Sequence, residues 1–345
     1  MIFCYNIAMK FICGPMATIS HPAFRILVEK FGGCDEYFTE MINAGTLLTG
    51  GPFEKYYINP APVPQKLVWQ LTGRTATKME AAAKQLVELP GIGLDINMGC
   101  SAPDIYRYGA GIAWLLKPIE EKSQMVQAVS GVIKDYNQKV EPQAKKRFSV
   151  KLRLGDDDFT DKGFFDFCDM LVECGVELLT LHPRTKKEKL TRPARYSYCQ
   201  ALCERYKNQG VKIYLNGNVR DVASLENAIK CAPDVDGVMI SRAAVEKPWI
   251  FKQLCNWGAA GEKSNQKQEV DMLSLALEYI DDIEKYQPQE FWKTRLQRFF
   301  TYFSMNFTFS HYAQTQFLNA ASNDDLRNRL KDFFEKCPDE RIIVV

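Results

Sequence analysis

The chain has 345 residues, 46% of them hydrophobic and 25% charged, with a formal net charge of +2. That balance excludes a disordered chain and a global basic field, although local patches stay possible. The length exceeds one small domain, whereas a (β/α)8 barrel alone takes about 250 residues, so a large domain with a smaller appendage is expected.

The chain opens on an apolar stretch, Met1 to Gly14, without the basic start of a signal peptide. It runs into the strand-like Phe11-Ile12-Cys13, so it is read as core rather than as an address tag. Short apolar runs then alternate with helical patterns. Strands are expected over residues 10–16, 37–41, 66–71, 93–98, 148–154, 178–182, 211–216 and 237–241. Continuous apolar runs such as Leu178-Leu179-Thr180-Leu181 suit strands covered on both faces, as in parallel sheets. Helices are expected over 77–88, 119–136, 161–174, 195–208 and 220–231, the last with Asp221 as N-cap. This rhythm predicts an α/β fold, a (β/α)8 TIM barrel over 1–257. The small and polar stretch 258–268 reads as a linker. Helical periodicity follows over 269–286, 290–306, 311–321 and 323–336, a small C-terminal helical bundle domain over 269–345. No run of about 18 apolar residues occurs, so no membrane helix is expected.

Eleven cysteines include no CxxC pair. Cys199 and Cys203 share a helical face but lack further ligands nearby, so buried thiols are expected there, with no metal. Zinc and disulfide frameworks are poor explanations for a chain this long, and a reducing, cytoplasmic setting fits better.

The strand ends carry the unusual residues: Pro15-Met16, Glu40, Gln70, Asn97, Lys151, His182, Asn216-Gly217 and Ser241-Arg242. In a barrel these ends open on one face, where chemistry sits. A buried Lys151 needs an anionic partner, either an acid on a neighbouring strand or a ligand. Cys100 follows a glycine just past the run Leu94 to Met98, where a thiol can face a ligand while the sheet holds it still. Gly109-Ala110-Gly111 begins like a dinucleotide fingerprint, but Trp114 occupies the third glycine's place, and no Walker motif occurs. Asn216-Gly217-Asn218 and Ser241-Arg242-Ala243, after the seventh and eighth strands, together favour a phosphorylated cofactor; for either turn alone, a simple chain reversal is the better explanation.

Read together, these motifs resemble the tRNA-dihydrouridine synthases, which are FMN-dependent (β/α)8 barrels with a C-terminal helical domain. The resemblance is carried by Gly14-Pro15-Met16, Phe24-Arg25, Thr39-Glu40-Met41, Gln70-Leu71-Thr72-Gly73 and Asp95-Ile96-Asn97-Met98-Gly99-Cys100. It continues through Gly109-Ala110-Gly111, Val150-Lys151-Leu152-Arg153-Leu154-Gly155, His182-Pro183-Arg184-Thr185, Asn216-Gly217-Asn218, Val238-Met239-Ile240-Ser241-Arg242 and Pro248-Trp249-Ile250-Phe251. It implies that Cys100 is the general acid, protonating C5 of a uracil whose C6 receives hydride from the reduced flavin. An ordinary thiol holds its proton at neutral pH and can donate it.

By the same resemblance Lys151 and His182 contact the flavin ring and phosphate, Gln70 contacts the ring, and Pro15 and Met16 line it. Asn216, Gly217, Asn218, Ser241 and Arg242 surround the phosphate, while Asn97 and Arg184 lie close to the target base. The chain departs from the family at Ser101, where proline is usual, at Asp104, where a lysine is common, at Pro183 and at Ser241. These departures bear on substrate choice more than on flavin binding.

The segment 261–345 holds eleven Lys and Arg against fourteen Asp and Glu, a balance of −3, so RNA binding there requires concentrated positive charge. Lys293, Arg295 and Arg298 fall near one helical face among Phe291, Trp292, Phe299 and Phe300. Spacing alone favours a solvated edge over an aromatic core; the resemblance implies tRNA contact. The expectation is a monomeric enzyme that reduces specific uridines of tRNA with NADPH as electron donor. The alternatives are a flavin barrel reductase of a free pyrimidine or other small enone, and a non-catalytic RNA-binding relative.

Overall fold

The computed structural model describes residues 9–156, 159–188, 192–258 and 268–345. Residues 1–8 of the apolar start and nearly all of the expected linker lie outside the described residues. Eight parallel strands form a ring: β1 (Lys10–Cys13), β2 (Glu36–Phe38), β3 (Leu67–Thr72), β4 (Gly93–Met98), β5 (Arg147–Gly155), β6 (Leu178–Thr185), β7 (Lys212–Asn216) and β8 (Gly237–Ile240). Each pairs with the next, and the ring closes because β1 pairs with both β2 (Ile12 opposite Glu36) and β8 (Phe11 opposite Val238). Every residue of β3, β4 and β6 is buried, which is why these strands read as unbroken runs rather than as alternating ones.

Helices including Ala76–Leu86, Ile119–Asn137, Asp161–Glu173, Ser197–Tyr206 and Val222–Cys231 cover the outside. Asp221 caps the last of them in a reciprocal capping box with Ser224, accepting from its backbone N–H at 2.8 Å. Inside the ring Ile12, Phe38, Val68, Leu178, Tyr214 and Met239 form their own apolar layer. Below it, at the N-terminal strand ends, Glu36 accepts from Arg147 Nη1 and Nη2 at 2.9 and 2.6 Å, from Lys10 Nζ at 2.8 Å and from the Tyr214 hydroxyl at 3.0 Å. Burial alone would raise the Glu36 carboxyl, but the hydrogen bonds and charges of Arg147 and Lys10 outweigh it and hold the group at about 2.

The C-terminal region packs helices Met272–Tyr286, Gln289–Phe303, Ser310–Leu318 and Asn323–Lys336 around Phe299, Phe300, Phe303, Phe307, Phe317 and Phe333. The helix expected from residue 269 begins only at Met272. Glu269–Asp271 is instead a strand, β9, paired antiparallel with β10 (Ile342–Val344), and Val270 is buried opposite Ile343. Helical periodicity extended too far there because the strand is three residues long and its partner lies at least 71 positions away (Asp271 opposite Ile342 at its nearest).

Arg295 departs from the sequence reading. It is buried, its Nη1 donating to the equally buried Glu40 just past β2, while Lys293 and Arg298 stay exposed. The three cations therefore do not form one surface. Glu40, past the end of an inner strand, presents a carboxylate that must be paired once buried, and Arg295 is the side chain of the helical region that reaches it.

Candidate active site

Period-two geometry sends Asp95 and Asn97 of β4 to the same side, and with them Gln70 of β3 and Ser149, Lys151 and Arg153 of β5. The registers set Gln70 opposite Asp95 and Lys151 opposite Asn97. Asp95 Oδ2 accepts from Gln70 Nε2 at 2.8 Å and its Oδ1 from the Ser149 hydroxyl at 2.7 Å. Asn97 Nδ2 donates to Gln70 Oε1 at 2.9 Å, and Asn97 Oδ1 accepts from the backbone N–H of Gly99 at 3.2 Å and of Cys100 at 2.9 Å. Gln70 is fully buried, so its amide is committed to these neighbours. Burial pushes the Asp95 carboxyl up to about 6, against hydrogen bonds from Gln70 and Ser149 and the charges of Lys151 and Arg147.

Cys100 is half-buried, and its carbonyl accepts from Ile112 N–H at 3.0 Å. Gly111 makes that approach possible: its φ is +59°, and a Cβ there would lie 2.5 Å from the Cys100 carbonyl oxygen. The Gly109-Ala110-Gly111 motif thus serves the thiol's loop. That loop continues into the helix Pro103–Arg107, where Tyr106 donates to buried Asp156 at 2.5 Å and Asp104 pairs with Arg107 in solvent.

Beside this cluster lies a cavity of about 950 Å³ at the C-terminal ends of the strands. Its walls include Pro15, Lys151, His182, Asn216, Gly217, Asn218, Ser241 and Arg242, with Tyr196 on one side and Tyr302 and Met305 from the helical region on another. Met16 packs against the core instead, half-buried. Burial, then the charge of Arg153, lowers the Lys151 ammonium to about 8, although Asp95 and Cys100 oppose the change. Burial also holds the His182 imidazole far below its usual range, helped by Arg153, Lys151, Arg184 and Arg242. Arg184 Nη1 stands 2.9 Å from His182 Nε2. A guanidinium can only donate, so this nitrogen accepts and the ring proton sits on Nδ1. Arg184, expected beside a base, is itself fully buried behind His182 and also donates to the Arg192 carbonyl at 2.6 Å.

Gly217 has φ +122°, and a Cβ there would come within 2.9 Å of His182 Cδ2 and 3.4 Å of Arg184 Nη1. Only glycine lets the chain pass this close to the imidazole. Gly14 is similar, since its Cβ would lie 2.5 Å from Ser241 Oγ. Pro183 sits in β6 beside the register shift that follows Arg153 and His182, a position where a missing N–H is tolerated.

The sequence reading missed Arg153. Its Nε donates to the Gly99 carbonyl at 2.9 Å, and among the described residues its Nη1 is buried without a partner, as is Arg184 Nη2. Its place two residues beyond Lys151 on the same strand was the available signal. The contributions of Tyr302 and Met305 had no such signal, because they come from a separate part of the chain.

An eight-stranded parallel barrel with a polar cavity and a thiol at the C-terminal strand ends has the architecture of a barrel enzyme. The profile of the family described as dihydrouridine synthase (Dus) matches residues 12–337, and the chain belongs to that family. It is similar to the "Probable tRNA-dihydrouridine synthase" of Aquifex aeolicus, 29% identical over 273 residues, covering 78% of this chain and 80% of that protein. The "tRNA-dihydrouridine synthase B" of Pseudomonas putida is 27% identical over 278 residues, covering 80% of this chain and 77% of its own. The "Probable tRNA-dihydrouridine synthase 2" of Bacillus subtilis is 24% identical over 333 residues and covers 94% of both chains.

Proposed function

We propose that this protein reduces uridines of tRNA to 5,6-dihydrouridine, holding FMN in the cavity and using NADPH as reductant. The observation that carries the reading is one cavity, in a dihydrouridine synthase barrel, where Lys151, His182, Arg242 and the Asn216–Asn218 turn converge close to the Cys100 strand end. The residues fit an anionic cofactor. Among the described residues, buried donors on Arg153 and Arg184 have no acceptor, and Lys151, Asn216, Asn218 and Arg242 line the cavity itself.

Pro15, Lys151, His182, Asn216, Gly217, Asn218, Ser241 and Arg242 would hold the flavin. When bound, it supplies the hydride that adds to uracil C6. Cys100 then donates its thiol proton to C5, completing the addition of one hydride and one proton across the double bond, and solvent restores the thiol. Lys151 and Arg153 offer positive charge to the anionic groups of the site. Asn97 holds the Cys100 backbone next to the base. The uridine must turn out of its stack to reach this depth, and exposed Lys293 and Arg298 give the RNA backbone cationic contacts from the helical region.

The protein is expected to act as a cytoplasmic monomer; among the described residues no helix is long and apolar enough to cross a membrane. The test is nucleoside mass spectrometry of unmodified tRNA incubated with purified protein, FMN and NADPH. Dihydrouridine is expected from the wild type and none from Cys100→Ala, with NADPH-dependent flavin reduction retained in the variant. A colourless protein that takes up no FMN ends the proposal.

A further inference from the structure

The buried chain Asp95–Gln70–Asn97–Cys100 has a direction, and both of its ends fix it. A carboxylate can only accept and a backbone N–H can only donate, whereas a Gln or Asn amide can be turned either way. Asp95 Oδ2 obliges Gln70 to present Nε2 to it (2.8 Å), which turns Gln70 Oε1 toward Asn97 Nδ2 (2.9 Å). That leaves Asn97 Oδ1 to receive the N–H groups of Gly99 and Cys100. Reversing either amide would set like groups face to face inside a dry barrel, at Asp95 and at the thiol's own peptide. The second Asp95 oxygen is occupied by Ser149 at 2.7 Å, so the carboxylate cannot swing away.

We propose that Asp95 is the positioning residue for Cys100: its carboxylate orders Gln70 and Asn97, and through them pins the peptide that carries the thiol. This rests on the reading of Cys100 as the proton donor, but its consequences for the Cys100 backbone hold without it. Neither Asp95 nor Ser149 is on the cavity wall, so their effect on the reaction passes through the amides. The proposal distinguishes acceptor from mere bulk at position 95. Asn keeps one carbonyl oxygen for Gln70 and preserves the direction, whereas Leu removes the anchor and lets both amides turn.

The experiment compares wild type, Asp95→Asn, Asp95→Leu and Ser149→Ala in the flavin-loaded protein, following flavin reduction by NADPH and its re-oxidation by tRNA as separate steps. Peptide-resolved alkylation of Cys100 by iodoacetamide across pH is the readout independent of turnover. Asp95→Leu is expected to slow re-oxidation on the order of 100-fold at saturating tRNA, with the NADPH step and the tRNA KM within about twofold and the Cys100 alkylation profile displaced. Asp95→Asn should recover most of the rate. Ser149→Ala, which removes one of the carboxylate's two bonds and leaves the fold intact, should lose about 2–10-fold, and it decides the matter if the Leu variant does not fold.

Wild-type re-oxidation together with an unchanged Cys100 profile in Asp95→Leu, or in Ser149→Ala when Leu does not fold, overturns the proposal. So does equal loss of both flavin steps. A wild type that makes no dihydrouridine refutes the proposed activity instead, and the alkylation contrast still decides the role of Asp95.

Discussion

Replacing Lys151 with Met should stabilise the ligand-free protein and weaken its hold on flavin. Burial, with Arg153 beside it, lowers this ammonium from the ordinary 10.5 to about 8. At 1.36 kcal/mol per pH unit this corresponds to about 3 kcal/mol for keeping the charge in place. Met matches the aliphatic stem without the charge, so a gain of about 1–3 kcal/mol is expected at neutral pH. The folded-state value lies below the unfolded one, so the folded protein binds fewer protons across that window. The penalty is therefore complete below about pH 8 and relieved as pH climbs toward 10.5. Urea unfolding of flavin-stripped protein checks this: wild-type stability should rise through that interval by more than the variant's. Flavin fluorescence titration supplies the other half, with weaker binding by Lys151→Met. A variant that is less stable than wild type, or that binds FMN as tightly, would mean Lys151 is satisfied by the protein itself.

Glu36→Gln should cost stability that the wild type has in full above the ordinary carboxyl value of 4.5 and loses as pH falls toward about 2. The expected loss is about 3 kcal/mol at neutral pH, read as a lower urea midpoint and a flatter acid limb. Lys293→Ala with Arg298→Ala should weaken tRNA binding and flatten the slope of log K against log salt by about 1.4–1.8, corresponding to two phosphate contacts; an unaltered slope places the RNA elsewhere. Arg295→Ala should leave that slope unchanged while lowering stability by about 3–5 kcal/mol, because Glu40 is left buried without its partner. A steep change in salt dependence with unchanged unfolding would return Arg295 to the RNA surface.

Much of the barrel was legible in the sequence because parallel strands covered on both faces leave short apolar runs, and these alternate with helical patterns along the chain. Strand β4 matches its expected limits of 93–98, and the others differ by a few residues at their ends. The polar strand ends were legible for the same reason, as interruptions in apolar runs: Asn97, Lys151 and His182 each stand out against their neighbours. Asp95 and Arg153 were visible as charges, but their tasks depend on partners across the sheet, which a linear pattern does not contain. Arg295 was misjudged because helical spacing assigns a face without saying what covers it; here Glu40, 255 positions away, does so. The strand β9 was lost for a similar reason, its partner being at the far end of the helical region.

The Glu40–Arg295 contact makes the two parts of the chain inherit each other's changes. A chimera that borrows the helical region of a relative must bring a cation for Glu40 or remove the acid with it, since a half-exchanged pair would strand one charge at the seam. Alteration of either position alone should therefore be harsher than exchanging both together, and libraries that shuffle the two regions should recover positions 40 and 295 as a matched set.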